Sequence, residues 1–403
     1  MRLDVLRRPA VIAMLLLACT AGSFAQERPV EFDNYIFPGW SFTPGLALSG
    51  MWDSNTTLQA PDALTGRTPG DNVFVIVPSG DIALNSSRTT FSAGYRGYLR
   101  RHVDLGELDG FDQRAYVSLQ RTATPRLSWF VSNEFAQLPT TDLVELYGVP
   151  FMRLGVTTNR FGAGLKARLT KLTDLGFRYD NEWSSFDHDE DEEFVNGGTI
   201  HTVAADLRRR LTERVTVGAE GRLHRSDVTR TEPRVSWFQE AGGLVSYQLS
   251  KTLSADAAAG ISHVVDSRFD QTRTSPYYRV GLQHATARAT IGVHLEQSYT
   301  PSYGLSGSND NRELDGFVHM PFSRNRFYVE ADGSWRRSNP FFDVEVRNDT
   351  IVSHTRIGYS TRRWLRTEGY YAFSRQDSII PGAPIQRHRI GMQLVVSQPM
   401  RIQ

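Results

Sequence analysis

Residues 88–101 read RTTFSAGYRGYLRR, and this stretch decides the fold class. Every second residue from Phe91 to Leu99 is apolar, aromatic or small, whereas Arg96 and Arg100 belong to the alternate, polar row. A period of two residues is that of a β-strand, because successive side chains point to opposite faces. The same alternation recurs to the end of the sequence in segments of about ten residues, the length of a strand that crosses a bilayer at a tilt.

This alternation predicts eighteen strands, and the connections between them are alternately short and long. The short connections have three to five residues. The long ones run to about ten to twenty residues, as in outer-membrane barrels. An even number of strands lets the last strand pair antiparallel with the first, which removes both sheet edges. The predicted strands begin near residues 40, 73, 88, 111, 126, 153, 174, 199, 214, 236, 253, 277, 289, 313, 326, 348, 364 and 387.

We therefore predict an all-β fold, a transmembrane antiparallel up-and-down β-barrel of about 18 strands over residues 40–397. The short connections carry mostly Lys and Arg and the long ones are acidic, which predicts short periplasmic turns and longer extracellular loops. The alternative is a soluble β-sandwich or propeller, whose strands also alternate. That alternative gives no reason for a strict succession of short and long connections.

The composition agrees with a barrel and excludes other classes of protein. Hydrophobic residues make up 40% of the chain and aromatic residues 11%, a polar average with many aromatics that one-for-one alternation explains. No segment has 18 consecutive apolar residues, so no transmembrane helix is predicted. The formal net charge is +1 and the arginines are spread thinly, which argues against a nucleic-acid partner.

The N-terminus predicts export to the outer membrane of a Gram-negative bacterium. Residues 1–25 read as a signal peptide, with basic residues, a short apolar run and a small-x-small cleavage site that ends at Ala25. A weak lipoprotein box around Cys19 leaves lipidation of that cysteine as an alternative. Residues 26–39 are predicted as a periplasmic segment, and residues 398–403 as a C-terminal tail without the usual terminal aromatic residue.

The first predicted strand carries a family resemblance. Residues 38–55 read PGWSFTPGLALSGMWDSN, a strand with Pro44 and alternating leucines that is followed by Trp52, Asp53 and Asn55. This stretch resembles the opening of the beta-barrel porin 2 family of outer-membrane proteins. The resemblance implies a channel, and it implies a link to exopolysaccharide secretion because some members of that family have one.

The polar rows are predicted to line an aqueous lumen, because a barrel of this size leaves a channel unless it is plugged. Both signs of charge occur in similar number, which argues against strong ion selectivity. The alternative role of these charges is to pair across strands and stiffen the wall. The predicted pore-lining residues are Arg96, Arg100, Arg114, Lys166, Arg168, Arg178, Asp180, Glu182, Arg208, Glu220, Arg222, Glu330, Asp332, Arg366 and Glu368.

Two further features of the sequence bear on the lumen. The connection over residues 139–152 is unusually apolar. It is predicted either to fold into the barrel as a constriction or to pack on the rim or on a neighbouring protomer. In the first case Asp142, Glu145 and Tyr147 would lie at the constriction. Tyrosines in the polar rows at positions 98, 116, 328 and 370 either stack on sugar rings or pack against neighbouring strands.

The sequence gives little support for catalysis or for a cofactor. The acidic run over residues 187–193 lacks the spacing and glycine of an EF-hand, so a solvated loop is favoured over a Ca²⁺ site. His224, Ser226 and Asp227 lie close in sequence, but neighbouring strand residues point in opposite directions. We predict no enzyme, no metal, no cofactor and no catalytic residue; a barrel-embedded hydrolase is the minor alternative.

The sequence therefore predicts an outer-membrane channel for hydrophilic solutes or for an exported polysaccharide. The main alternative is a structural barrel that takes part in a secretion complex without conducting alone. The expected partners are outer-membrane lipid and lipopolysaccharide, the solute itself and a periplasmic export protein. The sequence leaves the oligomeric state open.

Overall fold

The computed structural model describes residues 38–62, 64–140, 153–187, 197–228, 235–266, 271–303, 308–322, 326–340, 347–378 and 384–402. The predicted signal peptide with Cys19 lies outside these residues, as do Asp142, Glu145, Tyr147 and most of the acidic run. No helix in the described part of the chain is long and apolar enough to span a bilayer.

The described residues form eighteen long strands and one short strand, with a single 3-10 turn at Gly106–Leu108. The alternation of side chains in the sequence matches this architecture, since most strands have one apolar and one polar row. The strands are β1 Gly39–Asp53, β2 Asp71–Asn85, β3 Thr89–His102, β4 Gly110–Thr124, β5 Leu127–Pro139, β6 Gly155–Arg168, β7 Thr173–Asp187, β8 Gly198–Arg210, β9 Val215–Val228, β10 Val235–Gln248, β11 Leu253–Asp266, β12 Gln271–Ala285, β13 Thr290–Pro301, β14 Ser308–Phe322, β15 Phe327–Pro340, β16 Asn348–Arg362, β17 Leu365–Ser378, β18 Ile385–Ser397 and β19 Met400–Arg401.

The sheet is closed and antiparallel throughout. Each long strand pairs with its neighbours in sequence, and β1 pairs with both β2 and β18. The seam between β1 and β18 runs from Gly45 opposite Ser397 to Asp53 opposite Arg389. Closure removes the free edges of the sheet, as a bilayer requires of a spanning sheet, except at the upper end of β12, which pairs with β13 only from Tyr278 onward. The prediction of an all-β up-and-down barrel of about 18 strands is confirmed.

The two faces of the sheet have opposite character. On β2 the side chains of Val73, Val75 and Val77 are buried, whereas Phe74 and Ile76 are exposed. Exposed large apolar side chains occupy the same outer row on nearly every strand, and the buried polar side chains occupy the inner row. A sheet with its apolar face outward and its polar face inward suits lipid outside and water inside.

Most predicted strand starts lie within two residues of the observed ones, and two differ by more. β12 begins at Gln271 and β14 at Ser308, although starts near 277 and 313 were predicted. The additional residues at both places are polar in both rows, so they lack the alternation that marks a lipid-facing strand. Because strands extend further than the alternation indicates, only the connections after β1, β5 and β7 are as long as predicted.

The chain beyond β18 also belongs to the sheet. Met400 and Arg401, within the segment predicted as a C-terminal tail, pair with Phe42 and Ser41 on β1. The amide of Ile402 donates to the carbonyl of Trp40 at 3.0 Å. The last residues therefore extend the seam towards the side of the short turns.

Candidate channel lumen

The strand register places every predicted pore-lining residue on the inner face of the barrel. Ala47 and Val77 are directly opposite each other in this inner row, and the row can be followed through each pair of strands around the barrel. The residues found on it are Arg96, Arg100, Arg114, Lys166, Arg168, Arg178, Asp180, Glu182, Arg208, Glu220, Arg222, Glu330, Asp332, Arg366 and Glu368. Their contact with a passing solute stays a prediction.

These charged side chains are paired along the wall. Arg100 Nη2 lies 3.0 Å from Asp112 Oδ2, and Arg279 Nη2 lies 3.0 Å from Glu220 Oε2. Each predicted pore-lining residue has an oppositely charged or histidine partner within the 4.0 Å limit of an ion pair. The geometry agrees with the wall-stiffening alternative, because a paired charge projects a weaker field into the lumen than a free one.

The densest of these networks surrounds Glu368 on β17. Its side chain is 0% exposed, and it accepts hydrogen bonds from Tyr328 and Gln393. Arg366 Nε lies 2.5 Å from one of its oxygens and Arg356 Nε 3.8 Å from the other. A buried carboxylate is tolerable only when its oxygens have such partners. This network joins β15, β16, β17 and β18 into one rigid part of the wall.

Three of the four tyrosines in the polar rows lie along the wall. A Cβ at Gly358 would lie 2.2 Å from the ring of Tyr328, and one at Gly391 would lie 2.7 Å from the ring of Tyr370. Tyr116 covers Gly94 in the same way and donates to Asp81 at 2.7 Å. An aromatic ring that lies over a cross-strand glycine packs along the sheet. This geometry agrees with the packing role for these tyrosines.

One part of the barrel leaves the cylindrical wall. β13 pairs with β12 only from Thr290 to Gln297, yet it continues to pair with β14 as far as Pro301 opposite Ser308. Beyond Gln297, the ends of β13 and β14 therefore form a hairpin that has separated from β12. We call this segment, Gln297–Tyr303 with Ser308–Asn311, the inner hairpin.

The inner hairpin packs on the inside of the neighbouring wall. Tyr299 is 3% exposed and contacts Phe238 on β10 and Val264 on β11, both of which belong to the inner row. Ser308 Oγ donates to Asp266 Oδ2 at 3.2 Å, at the end of β11. These contacts place the hairpin inside the barrel, on the side of the long connections.

The first arm of the inner hairpin reaches strands on another side of the barrel through Tyr303. Tyr303 is 2% exposed, and its ring centroid lies 6.1 Å from that of Phe186 on β7. Both rings belong to an apolar cluster with Leu138, Leu154 and Val228. Since β7 and β13 are not neighbours in the sheet, this cluster spans the lumen near its mouth and narrows it.

Another part of the inner wall borders a cavity. This cavity follows the inner face from β14 through the seam to β5, and Tyr98, Arg100 and Arg114 line one side of it. His354 and Arg356 line the other. The lumen is therefore asymmetric, with the inner hairpin over β10 and β11 and a cavity over β14–β5 that charged and apolar side chains line together.

The residues that the catalytic alternative requires are not brought together. His224 and Ser226 lie on the inner face of β9, but Asp227 lies on the outer face. The Nδ1 atom of His224 has Thr202 Oγ1 as its partner at 2.8 Å. A Ser-His-Asp arrangement needs all three groups in one hydrogen-bonded chain, and this segment does not provide it.

Sequence reasoning missed the most buried ion pair of the lumen, Asp53 with Arg387. Arg387 Nε donates to both oxygens of Asp53 at 3.0 and 2.9 Å, and the two side chains are 1% and 3% exposed. Asn55 binds the carbonyl of Gln386 at 3.0 Å, so the WDSN stretch fastens β1 to β18. Asp53 is the last residue of β1, and in the sequence it looks like the first residue of a loop, so its position on the inner face was not predicted.

Comparisons with known proteins give structures of low similarity. OccK3 (OpdO) of Pseudomonas aeruginosa is 10% identical with a TM-score of 0.46 and covers 90% of this chain and 96% of its own. OpdK of the same species with vanillate is 12% identical with a TM-score of 0.48 and covers 89% and 99%. OccAB3 of Acinetobacter baumannii is 10% identical with a TM-score of 0.45 and covers 89% and 99%.

No family model matches the sequence. No curated protein matches it either. The resemblance of residues 38–55 to the beta-barrel porin 2 family therefore stays a prediction. The values for the solved structures are too low to assign a family or an activity.

Proposed function

We propose that this protein is an outer-membrane channel that lets small hydrophilic solutes diffuse through its lumen. The observation that carries the proposal is the closed barrel, with an apolar outer row, a charged inner row and a cavity along the inner wall. An apolar outer row suits lipid, and a polar inner row suits water and dissolved solutes. The proposed location is the bacterial outer membrane, with the short turns in the periplasm.

Size is the main basis of selection in this proposal. The wall charges are paired, so the lumen offers little net field to separate anions from cations. The inner hairpin, by contrast, crosses the mouth and reaches Phe186 through Tyr303. A solute must therefore pass between this hairpin and the wall around Arg100 and Arg356.

Small solutes are favoured over an exported polysaccharide. The polysaccharide rests on the family resemblance alone, and a polymer in transit would have to stay threaded past the cluster around Tyr303 for its whole length. A periplasmic export partner, an interaction with lipopolysaccharide and a barrel that does not conduct alone stay as further proposals. The inner-row tyrosines give little support to sugar stacking, because Tyr328 and Tyr370 lie over glycines.

Planar-bilayer conductance of the refolded full-length chain tests the proposal. We expect steady current steps with weak ion selectivity, measured from the reversal potential in a salt gradient. Small sugars should permeate proteoliposomes in a swelling assay, and long oligosaccharides should not. Absence of current from protein with a barrel-type circular dichroism spectrum would refute the channel. Permeation by long oligosaccharides would favour polysaccharide passage.

A further inference from the structure

The outer face of the barrel carries a group of polar side chains within its apolar row. Asn133 on β5, Asn159 on β6, Asn181 on β7 and His201 on β8 all lie in the outer row of the register. Phe161 is directly opposite both Asn133 and Asn181, so it lies at the centre of the group. We call these four polar residues, together with Phe161, the amide patch.

The amide patch lies at the depth of the lipid chains. Asn133 is between Val131 and Phe135 in the outer row of β5, and Asn181 is between Tyr179 and Trp183 on β7. Asn133 is six residues above Leu127 at the lower end of β5. With a strand rise of about 3.3 Å and a tilt of about 40°, this places it about 15 Å up an apolar band about 25 Å tall.

The polar groups of the patch form hydrogen bonds among themselves. The Asn133 and Asn159 carboxamides bind each other at 2.9 and 3.3 Å. The Nδ1 atom of His201 lies 2.9 Å from the Tyr179 hydroxyl and 3.1 Å from Asn181 Nδ2. A carboxamide has two donor hydrogens and two acceptor lone pairs, so one partner satisfies only part of it. In lipid the rest would have no partner, which is unfavourable.

Among the described residues, the neighbouring strands β5, β6 and β7 each carry an outer-row carboxamide at mid-strand depth. Gln113 on β4 and Gln137 on β5 bind each other at 3.0 Å above the patch. On the far side, Leu295 on β13 and Leu314 on β14 are exposed and directly opposite each other, and Trp335 on β15 is opposite Leu314. A polar side of this kind identifies the surface that lipid does not cover.

We propose that the amide patch is the contact surface between two copies of this chain in the membrane. The same surface on both copies is self-complementary, because every carboxamide both donates and accepts hydrogen bonds. Asn and Gln side chains stabilise contacts between membrane segments in this way. A second copy would cover Phe161 and supply partners to Asn133 and Asn181, and the two lumens would stay independent.

Single-cysteine cross-linking tests this contact. Cys19 is the only cysteine in the sequence and lies in the predicted signal peptide, so Cys19→Ser gives a cysteine-free background whether or not that segment is cleaved. Phe161→Cys places a thiol at the centre of the patch, and Leu314→Cys places one on the far side as a matched control. The purified full chain is reconstituted in phospholipid vesicles and treated with a short bis-maleimide. We expect a cross-linked dimer from Phe161→Cys and none above the collision background from Leu314→Cys.

A triple substitution then tests the amides themselves. Asn133→Leu, Asn159→Leu and Asn181→Leu, added to Phe161→Cys, should lower the dimer yield about tenfold, which corresponds to about 1.4 kcal/mol. Unchanged conductance of the triple variant would confirm that it folds. The absence of a dimer from Phe161→Cys, equal yields at both sites, or a yield that survives in the triple variant would each overturn the proposal without affecting the channel.

Discussion

Substitution Asp53→Asn should destabilise the barrel by opening its seam. The Asp53 carboxylate accepts hydrogen bonds from Arg387 Nε and Nη2, and also from the backbone amide of Asn55 at 3.0 Å. Asn keeps the shape of Asp but removes the negative charge, so the Arg387 guanidinium stays buried without its anion. Removal of one partner of a buried ion pair typically costs about 3–5 kcal/mol.

The deep burial of the Asp53–Arg387 pair supports a cost in the upper part of this range. Both side chains are almost fully buried, at 1% and 3%, so water cannot replace the lost partner. The pair Arg101 with Asp109 is the matched control, because Arg101 is 77% exposed at a distance of 2.7 Å. Substitution Arg101→Gln should cost about 0–1 kcal/mol, as is usual for an exposed pair.

The assay is urea unfolding of the refolded chain in vesicles, followed in both directions by tryptophan fluorescence. The double variant Asp53→Leu with Arg387→Met should be more stable than Asp53→Asn, because an apolar pair leaves no buried charge. A cost below about 1 kcal/mol for Asp53→Asn would refute the reasoning. A double variant no more stable than the single one would show that packing of the WDSN stretch, not charge, fastens the seam.

Three further predictions concern the lumen. Tyr303→Ala should increase single-channel conductance because it removes the ring that contacts Phe186 across the lumen. Tyr359→Ala on the outer face is the control, and equal conductance of both variants would contradict the constriction. Gly358→Val should lower conductance and stability because its Cβ would lie 2.2 Å from the Tyr328 ring, whereas Gly369→Ala, with no atom within 4 Å, should change neither quantity. Asp142→Asn with Glu145→Gln should shift the reversal potential away from cation preference if the loop over 139–152 narrows the pore, and an unchanged potential would remove that loop from the conduction path.

The sequence predicts the barrel well because one property decides it. A one-residue slip in register would move every charged side chain of a strand into lipid, so the alternation fixes which face each residue takes. For this reason all predicted pore-lining residues, from Arg96 to Glu368, lie in the inner row. The strand starts agree for the same reason, except where polar residues fill both rows at the upper ends of β12 and β14.

The contacts inside the lumen could not be predicted in the same way. Which acid pairs with which arginine depends on the stagger between strands, so the partnership of Arg279 with Glu220 across two intervening strands has no signal in the sequence. The Asp53–Arg387 pair joins β1 to β18, the first and last long strands, so it too has no local signal in the sequence. The separation of β13 from β12 beyond Gln297 is visible only as a loss of alternation, which is also how a loop begins.

In the proposed channel, the inner hairpin and the paired wall have different roles. A wall whose arginines are neutralised by neighbouring carboxylates keeps water and ions close without holding any one of them tightly. In the proposed channel such a wall would discriminate weakly between ions, so selection would come from the shape of the constriction at the inner hairpin. That part is built from apolar contacts of Tyr299 and Tyr303 with three separate strands, and its geometry is independent of the charges. Substitutions in the hairpin should therefore alter solute size, and substitutions in the wall should mainly alter stability.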